Sequence, residues 1–310
     1  MTRLEAGVDI IRQCWPGNSS YLEDLEERFS GPGSIPLVPF VGAGLSMPMG
    51  FPSWKGFLEE LAERCGESQA VADLLTTNRF EEAAEKVEGA LSPEIFFDQV
   101  RQTFGHRRSV ACQLRGAVLA LPELPTGPVV TTNFDHVLER AYIEAGLPFE
   151  HVLWGAQVDL LRRAITENKQ FLFKVHGDAE ERSGRVLTER EYDEHYAPHR
   201  QGDIGAQLES FFVSRVLLFV GCSLVQDRTM QLLSGALPRA PGMTHYAIVE
   251  RPAKDEDLFA RQKALGACGI RPIWYPSGDH HLIEPLLRWI AALQYSAYPS
   301  RRQIGFSPAP

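Results

Sequence analysis

The sequence predicts a doubly wound α/β fold with a mostly parallel sheet, a helical insert or lid, and a short helical N-terminal arm. Apolar runs typical of buried strands alternate with amphipathic stretches at helical spacing, and small or polar residues follow the runs at their carboxyl ends. A chain of 310 residues is long enough to bury such a core. We expect the arm over 1–34, the main domain over 35–293 with its insert at about 66–122, and a flexible tail over 294–310.

Composition and charge exclude several classes of protein. The 44% hydrophobic and 23% charged content is that of an ordinary globular protein, and the net charge of −9 argues against direct nucleic-acid binding. No apolar run could span a bilayer and the N-terminus lacks a signal sequence, so we expect a cytoplasmic protein without membrane contacts. The five scattered cysteines include no C-x-x-C pair, which indicates neither a disulfide framework nor a zinc ribbon.

The stretch Ile35–Trp54 is the centre of the predicted fold. A buried strand ends in Gly42–Gly44 and Ser46, and a second turn leads into an amphipathic helix beginning near Ser53. Glycines after a strand let the backbone approach an anion, and free N–H groups with a helix N-terminus supply positive charge for a phosphate. The stretch matches neither G-x-G-x-x-G nor a P-loop, so an ordinary strand-to-helix turn is an equal alternative here.

Residues 68–120 form a predicted helical block between the first and second strands. Apolar residues recur at helical spacing through the block. Its position suits a lid over the carboxyl ends of the strands. It has no paired carboxylates or histidines at ligand spacing, so we expect it to give the site shape and no reactive group.

The second key stretch, Gly127–Arg140, ends a strand in a cluster of polar side chains. These are Thr131, Thr132, Asn133 and Asp135. Ligands of open α/β sheets bind at strand ends, and one Asn or Asp is enough to cap the helix predicted from His136. A functional role is therefore favoured, although Asn133 or Asp135 could simply be that cap.

Two later strands also end in polar residues. Phe171–Asp178 runs into His176 beside a glycine, where a general base would be wanted, although a lone histidine is usually structural. Val216–Asp227 gives Gly221 and Ser223 in a second phosphate-style turn, in which Cys222 is better explained by packing than as a nucleophile. Two further strand–helix units, at 244–268 and 270–292, complete the predicted sheet.

Five motifs in order carry a resemblance to a known family. They are GAGLS at 42–46, GFPSW at 50–54, TTNFD at 131–135, KVHGD at 174–178 and GCSLVQD at 221–227. Together they resemble the sirtuin superfamily, and more narrowly the zinc-less, sirtuin-like NAD-hydrolase domains of bacterial anti-phage defence systems. The likeness runs from about Ile35 to about Ala292 and implies a Rossmann-like sheet.

The resemblance implies NAD+ as the substrate, cleaved to nicotinamide and ADP-ribose, and a role as the NAD-depleting effector of abortive infection. Asn133, Asp135 and His176 are implied as catalytic residues, the first two beside the nicotinamide and its ribose. The implied NAD-binding residues are Gly42, Ala43, Gly44, Ser46, Pro52, Trp54, Thr132, Gly221, Ser223 and Leu224. Those at 42–46 would contact the phosphates and neighbouring ribose, and Gly221 and Ser223 the adenosine side.

Two departures from the protein-deacetylating sirtuins bear on the reaction. This sequence lacks their zinc module with two C-x-x-C pairs, so we expect no metal. At the position of their G-I-P-D-F-R motif, this sequence has Ser53 and Lys55 in place of the Asp and the Arg. Both changes count against an acetyl-lysine site and fit water as the acceptor. An NAD-dependent deacylase or ADP-ribosyltransferase, or a non-catalytic NAD-binding subunit, remain the alternatives.

A hydrolase of NAD+ needs restraint in its host cell. Because no sensor domain of useful size follows Ala292, we expect regulation by homo-oligomerisation and a separate partner protein. In related systems that partner is a DNA-translocating ATPase or an Argonaute-like protein. Asp279, His280 and His281 either cap the last helix or line the adenosine end of the pocket.

Overall fold

The computed structural model describes residues 3–29, 37–125, 127–155, 157–167, 169–196, 204–224 and 228–297. Its centre is a seven-stranded sheet in which every neighbouring pair of strands is parallel. The strands are β1 Leu37–Val41, β2 Val129–Thr131, β3 His151–Trp154, β4 Phe171–Lys174, β5 Val216–Val220, β6 His245–Glu250 and β7 Ile270–Tyr275. The predicted doubly wound α/β fold is confirmed.

Helices cover both faces of the sheet, and the longest run of them lies between β1 and β2. The α-helices are α1 Arg3–Cys14, α2 Pro16–Phe29, α3 Trp54–Cys65, α4 Ser68–Thr76, α5 Phe80–Leu91, α6 Pro93–Phe104, α7 His106–Ala111, α8 Val137–Glu144, α9 Val158–Thr166, α10 Glu189–His195, α11 Ile204–Ser214, α12 Arg228–Ala236, α13 Asp255–Ala267 and α14 Ile283–Ala297. Gly116–Glu123, within the predicted helical block, is a 3-10 helix containing Pro122, which has no N–H to donate.

The strand order β3-β4-β2-β1-β5-β6-β7 places a switch of direction between β1 and β5. These two strands pair in register from Leu37 opposite Val216 to Val41 opposite Val220, so they end at the same level. The carboxyl ends of β1, β2 and β5 therefore adjoin. A crevice at such a switch point is where open α/β sheets bind ligands.

Strand β1 shows how the two layers of core are built. Leu37 and Val41 belong to the hydrophobic cluster on one face, and Val38 and Phe40 belong to the cluster on the other. Successive side chains of a strand point to opposite faces, and a parallel sheet covered on both sides needs both to be apolar. The continuous apolar run predicted for β1 follows from this.

The N-terminal helices pack beside β7 and α14 at one edge of the sheet. Asn18, fully buried on α2, links them to β7: its Nδ2 donates to Trp274 O at 2.8 Å, and its Oδ1 accepts from Trp274 N at 3.0 Å. At the other terminus α14 continues to Ala297, past the start of the predicted tail. The predicted break at 31–33, Arg301 and Arg302 lie outside the described residues.

Within the described ranges, no helix combines the length and the apolar character needed to cross a bilayer.

Candidate functional site

The turns that follow β1 and β5 touch each other at the switch point. Gly42 N donates to Val220 O and Gly44 N donates to Gly221 O, both at 2.9 Å. A Cβ on Gly42 would lie 2.5 Å from Gly221 O. Gly221 has φ +70°, and a Cβ there would lie 2.8 Å from Leu45 N. Glycine is therefore required at both positions by the close approach of the two turns.

The β1 turn is not a cradle of free amides, and that expectation is wrong for four of its N–H groups. Besides Gly42 and Gly44, Leu45 N donates to Gly42 O at 3.2 Å and Ser46 N donates to Ala43 O at 2.9 Å. Two 3-10 turns follow β1 in place of an α-helix. The next α-helix, α3, is capped by its own Ser53, which accepts from Gly56 N at 3.1 Å.

Asn133, just after β2, is held against the β1 turn. Its Nδ2 donates to Gly42 O and to Ser46 Oγ, each at 3.2 Å, and its own N–H donates to Thr131 Oγ1 at 3.0 Å. Only 6% of Asn133 is exposed, and its Oδ1 receives no hydrogen bond from the described residues. A buried, orphaned carbonyl oxygen at a strand end points to a ligand that donates to it.

Asp135 is also buried and has two partners. One is the backbone of α8, because Oδ1 accepts from Val137 N at 3.0 Å. The other is the hydroxyl of Ser46, which hydrogen-bonds the carboxylate. Burial raises the pKa of Asp135 despite these hydrogen bonds. Asp135 thus serves the start of the helix and contacts the β1 turn.

His176 lies after β4, beside the loop that carries Asn133. Its ring centroid is 6.5 Å from that of Phe134, and its Nε2 lies 3.1 Å from the hydroxyl of Tyr192 on α10. Burial lowers the pKa of His176 to about 4, so the imidazole is neutral at pH 7. The hydrogen bonds found among the described residues do not join His176 to Asn133. The ring of Phe134, the residue after Asn133, is the one that contacts the ring of His176.

Lys174, the last residue of β4, binds the loop that follows β2. Its side chain is fully buried, and Nζ donates to Phe134 O at 3.0 Å and Asp135 O at 2.9 Å. Burial lowers the pKa of Lys174, but the carboxylates of Glu139 and Asp178 outweigh it and hold the pKa above its ordinary value. The cation therefore pins the loop between Asn133 and α8.

A possible metal site coincides with this lysine. His136, Glu139 and Asp178 offer ligand atoms that all lie within 4.8 Å of one another. Lys174 Nζ lies 3.1 Å from Glu139 Oε1 and 2.6 Å from Asp178 Oδ2, so an ammonium already supplies the positive charge. Burial raises the pKa of Asp178, but the hydrogen bond from His136 and the charge of Lys174 hold it well below its usual range.

The other predicted binding residues lie in the segments that follow β1, β2 and β5. Thr132 N donates to Val41 O at 3.2 Å. Pro52 and Ser53 are partly buried, and the centroid of the next ring, that of Trp54, lies 5.8 Å from the ring centroid of Phe134. Leu224 adopts φ +48°, and the exposed Ser223 accepts Arg261 Nη2 on its carbonyl at 2.6 Å. Residues 225–227 of the last motif lie outside the described residues.

Some residues of the candidate site have little or no signal in the sequence. Tyr192 and Arg261 have no recognisable sequence pattern, because each acts through a contact with a distant part of the chain. The bracing role of Lys174 also depends on a distant contact. A lysine inside an otherwise apolar strand is the one signal that was available, since buried lysines are paired. Cys222 Sγ lies 3.5 Å from Phe40 O, a packing contact between adjoining strands.

Comparison with known proteins finds a family model that matches part of the chain. Residues 128–273 match the model of a SIR2-like domain. The matched region includes Asn133, Asp135 and His176, while the β1 turn precedes it.

Curated proteins similar to this chain come from several bacteria, and three of them are each named NAD(+) hydrolase ThsA. The Enterococcus faecium protein is 26% identical over 72% of this chain and 46% of its own length. The Cytobacillus dafuensis protein is 25% identical over 70% and 42%, and that of Bacillus cereus (strain MSX-D12) is 28% identical over 70% and 44%. The chain thus spans less than half the length of the relatives it matches.

Proposed function

We propose that this chain hydrolyses NAD+ at the nicotinamide N-glycosidic bond and releases nicotinamide and ADP-ribose. The observation that carries the proposal is the buried Asn133 side chain at the switch point, whose Oδ1 has no donor among the described residues. A ribose hydroxyl or a water molecule is a donor of suitable size. The names of the bacterial relatives support the same reaction.

The substrate would lie across the switch point, as dinucleotides do in doubly wound folds. We place the phosphates and neighbouring ribose at Gly42, Ala43, Gly44 and Ser46, and the adenosine at Gly221, Ser223 and Leu224. Because most amides of the β1 turn are occupied, its contribution to the phosphates is close backbone approach. Pro52, Trp54 and Thr132 would border the nicotinamide half.

The reaction needs positioning and electrostatic stabilisation more than a strong nucleophile. The bond between C1′ of the ribose and the nicotinamide nitrogen breaks with its electron pair going to nicotinamide, which leaves positive charge on the ribose. We propose that the buried carboxylate of Asp135 stabilises that charge. Asn133 orients the ribose or the water, water oxygen bonds to C1′, and neutral His176 accepts the proton that the water loses.

The cation behind the loop supports this chemistry. Lys174 donates to the carbonyls of Phe134 and Asp135 and so fixes the segment that carries Asn133. In the proposed reaction its ammonium meets the local need for a cation at Glu139 and Asp178, and we propose no metal-dependent step.

We further propose that the protein works in the bacterial cytoplasm as the NAD-depleting effector of an anti-phage system. Consumption of NAD+ stops the growth of the infected cell. Restraint in uninfected cells would come from homo-oligomerisation and from a separate partner protein, such as a DNA-translocating ATPase or an Argonaute-like protein.

The direct test is NAD+ consumption by the purified protein, with NAD+ binding measured in parallel by calorimetry. We expect release of nicotinamide and ADP-ribose, lost in Asn133→Ala and His176→Ala. His151→Ala, which changes an exposed histidine on β3, is the matched control and should retain activity. Absence of NAD+ binding, or nicotinamide release only when an acylated peptide is added, would contradict the proposal.

A further inference from the structure

We propose that Tyr192 is the positioning residue of His176: its hydroxyl oxygen accepts the Nε2–H and leaves the lone pair of the imidazole on Nδ1. This inference deepens the proposed function, since it names the atom of His176 that takes the proton from water.

The contact itself is well defined. Tyr192 Oη lies 3.1 Å from His176 Nε2, and the two rings meet edge to face with centroids 5.4 Å apart and an interplanar angle of 68°. A neutral imidazole has one N–H and one lone pair on opposite sides of the ring. Tyr192 occupies the Nε2 side, so a base that receives a proton from water must use Nδ1, and Nε2 then carries the hydrogen.

Tyr192 lies on α10, whose first turn is fixed by several hydrogen bonds. Helix α10 starts with a capping box in which Thr188 accepts from Glu191 N and the Glu191 side chain accepts from the backbone of Thr188. Glu191 also accepts from Leu187 N at 2.8 Å. These bonds lie within one helical turn before Tyr192. They hold the backbone that carries the Tyr192 side chain.

A buried ion network joins that helix to the helical insert. Arg185 pairs with Glu191 at 2.7 Å and with Glu88 of α5, and both Arg185 and Glu88 are almost fully buried. Arg190 on α10 reaches Glu88 as well, at 3.3 Å. Removing one partner of a buried ion pair is costly, so this network holds α10, which carries Tyr192, against α5.

A nucleophile, its base and a third group that orients the base form a recurrent catalytic arrangement. Here water is the nucleophile and His176 the base. The first two are in the proposed mechanism, and Tyr192 supplies the third. The role explains why a tyrosine hydroxyl, which the proposed chemistry does not otherwise use, faces the ring of His176.

The test compares Tyr192→Phe with Tyr196→Phe in the full-length protein. Tyr196 is the matched control, because it lies just past the end of α10 with its ring 5.3 Å from that of Tyr192. With ¹⁵N-labelled histidine, long-range ¹H–¹⁵N spectra report the tautomer, and His176→Ala identifies the signal. We expect the Nε2–H tautomer in the wild type and in Tyr196→Phe, and a mixture of tautomers in Tyr192→Phe.

Kinetics give a second readout. Loss of one positioning hydrogen bond should lower kcat roughly tenfold in Tyr192→Phe. KM for NAD+ should stay unchanged, and Tyr196→Phe should match the wild type. A purely structural role of the Tyr192 hydroxyl would instead lower the melting temperature of Tyr192→Phe and leave its kcat and the tautomer of His176 unchanged.

Two results would overturn the inference. One is an Nδ1–H tautomer in the wild type, and the other is a higher kcat in Tyr192→Phe, which would mean that the hydroxyl blocks the base. The spectra do not require turnover. A wild type that shows the Nε2–H tautomer but releases no nicotinamide would therefore count against the proposed reaction and leave the pairing of Tyr192 with His176 intact.

Discussion

Lys174 Nζ lies 2.6 Å from Asp178 Oδ2, at the point where β4 passes into the loop beyond His176. The same ammonium donates to the carbonyls of Phe134 and Asp135, so one buried cation joins the ends of β4 and β2. These two strand ends carry the proposed catalytic residues. Their relative position therefore depends on a lysine that faces away from solvent.

Replacing this lysine should be costly. Lys174→Met leaves buried Asp178 without its cation, and loss of one partner of a buried ion pair costs about 3–5 kcal/mol of the free energy of unfolding. Urea unfolding measures the loss. The double variant Lys174→Met/Asp178→Asn should recover part of it, because the uncompensated charge is gone.

Lys169→Met is the matched control for that prediction. Lys169 Nζ pairs with Glu150 at 2.7 Å on the surface, and an exposed pair contributes about 1 kcal/mol or less. If Lys174→Met were no more destabilising than Lys169→Met, Lys174 would not be the brace described.

The contact between the two glycine turns predicts a second result. Gly42→Ala places a methyl group 2.5 Å from Gly221 O, a backbone atom that cannot move independently, and overpacking of this kind costs about 1–3 kcal/mol. Thermal unfolding should show a lower midpoint. Gly235→Ala on α12, where a Cβ meets no atom within 4 Å, should instead raise it. Equal midpoints for the two variants would argue against the close approach.

Ser46 links the β1 turn to both Asn133 and Asp135, so its removal should change the pH dependence of the reaction. The hydroxyl stabilises the charged carboxylate of Asp135, and without it the pKa of Asp135 rises further. Activity that needs the carboxylate is lost below its pKa, so the acidic limb of the pH–rate profile should move to higher pH in Ser46→Ala.

Ser53→Ala provides the comparison for Ser46→Ala. It removes the cap of α3 and should cost about 1 kcal/mol of stability while leaving the acidic limb in place. If the acidic limb of the pH–rate profile did not move in Ser46→Ala, the reaction would not depend on the ionised carboxylate of Asp135.

The buried His245 makes the free energy of unfolding depend on pH. Burial lowers the pKa of His245 to about 4, below the value of about 6.5 expected in the unfolded chain. Between those values the unfolded state binds more protons, so the free energy of unfolding falls as pH falls, by about 1.4 kcal/mol per pH unit for this group. The contribution is fully present above pH 6.5 and is lost towards pH 4.

His245→Asn tests this dependence. Asn keeps an acceptor for Leu217 N, which donates to His245 Nδ1 at 3.2 Å, but it does not titrate. Denaturant unfolding at pH 7.5 and 5 should show a weaker loss of stability in the variant than in the wild type. His151→Asn, an exposed site, should behave as the wild type. If His245→Asn lost as much stability as the wild type between pH 7.5 and pH 5, His245 would not be the source of this pH dependence.

Local pattern sufficed for most of the architecture. The apolar runs of β1, β4 and β5 are buried on both faces, so their composition reports their structure directly. Strand β3 lies outermost and half exposed, which leaves it without an apolar signature, and it was not predicted. Glycines and polar residues at strand ends indicated the position of the site, because the carboxyl ends of parallel strands meet at one edge of the sheet.

Sequence patterns were thus enough to predict the fold class, the strand ends that carry the candidate site, and the family resemblance that implicates Asn133 and His176. The three-dimensional packing was needed to show which amides of the β1 turn are already bonded, that Lys174 braces the loop after β2, and that Tyr192 contacts His176. The difference lies in the sequence separation of the interacting residues. Strand and helix propensities act between near neighbours, whereas these bonds join segments that only the packing of the whole sheet brings together.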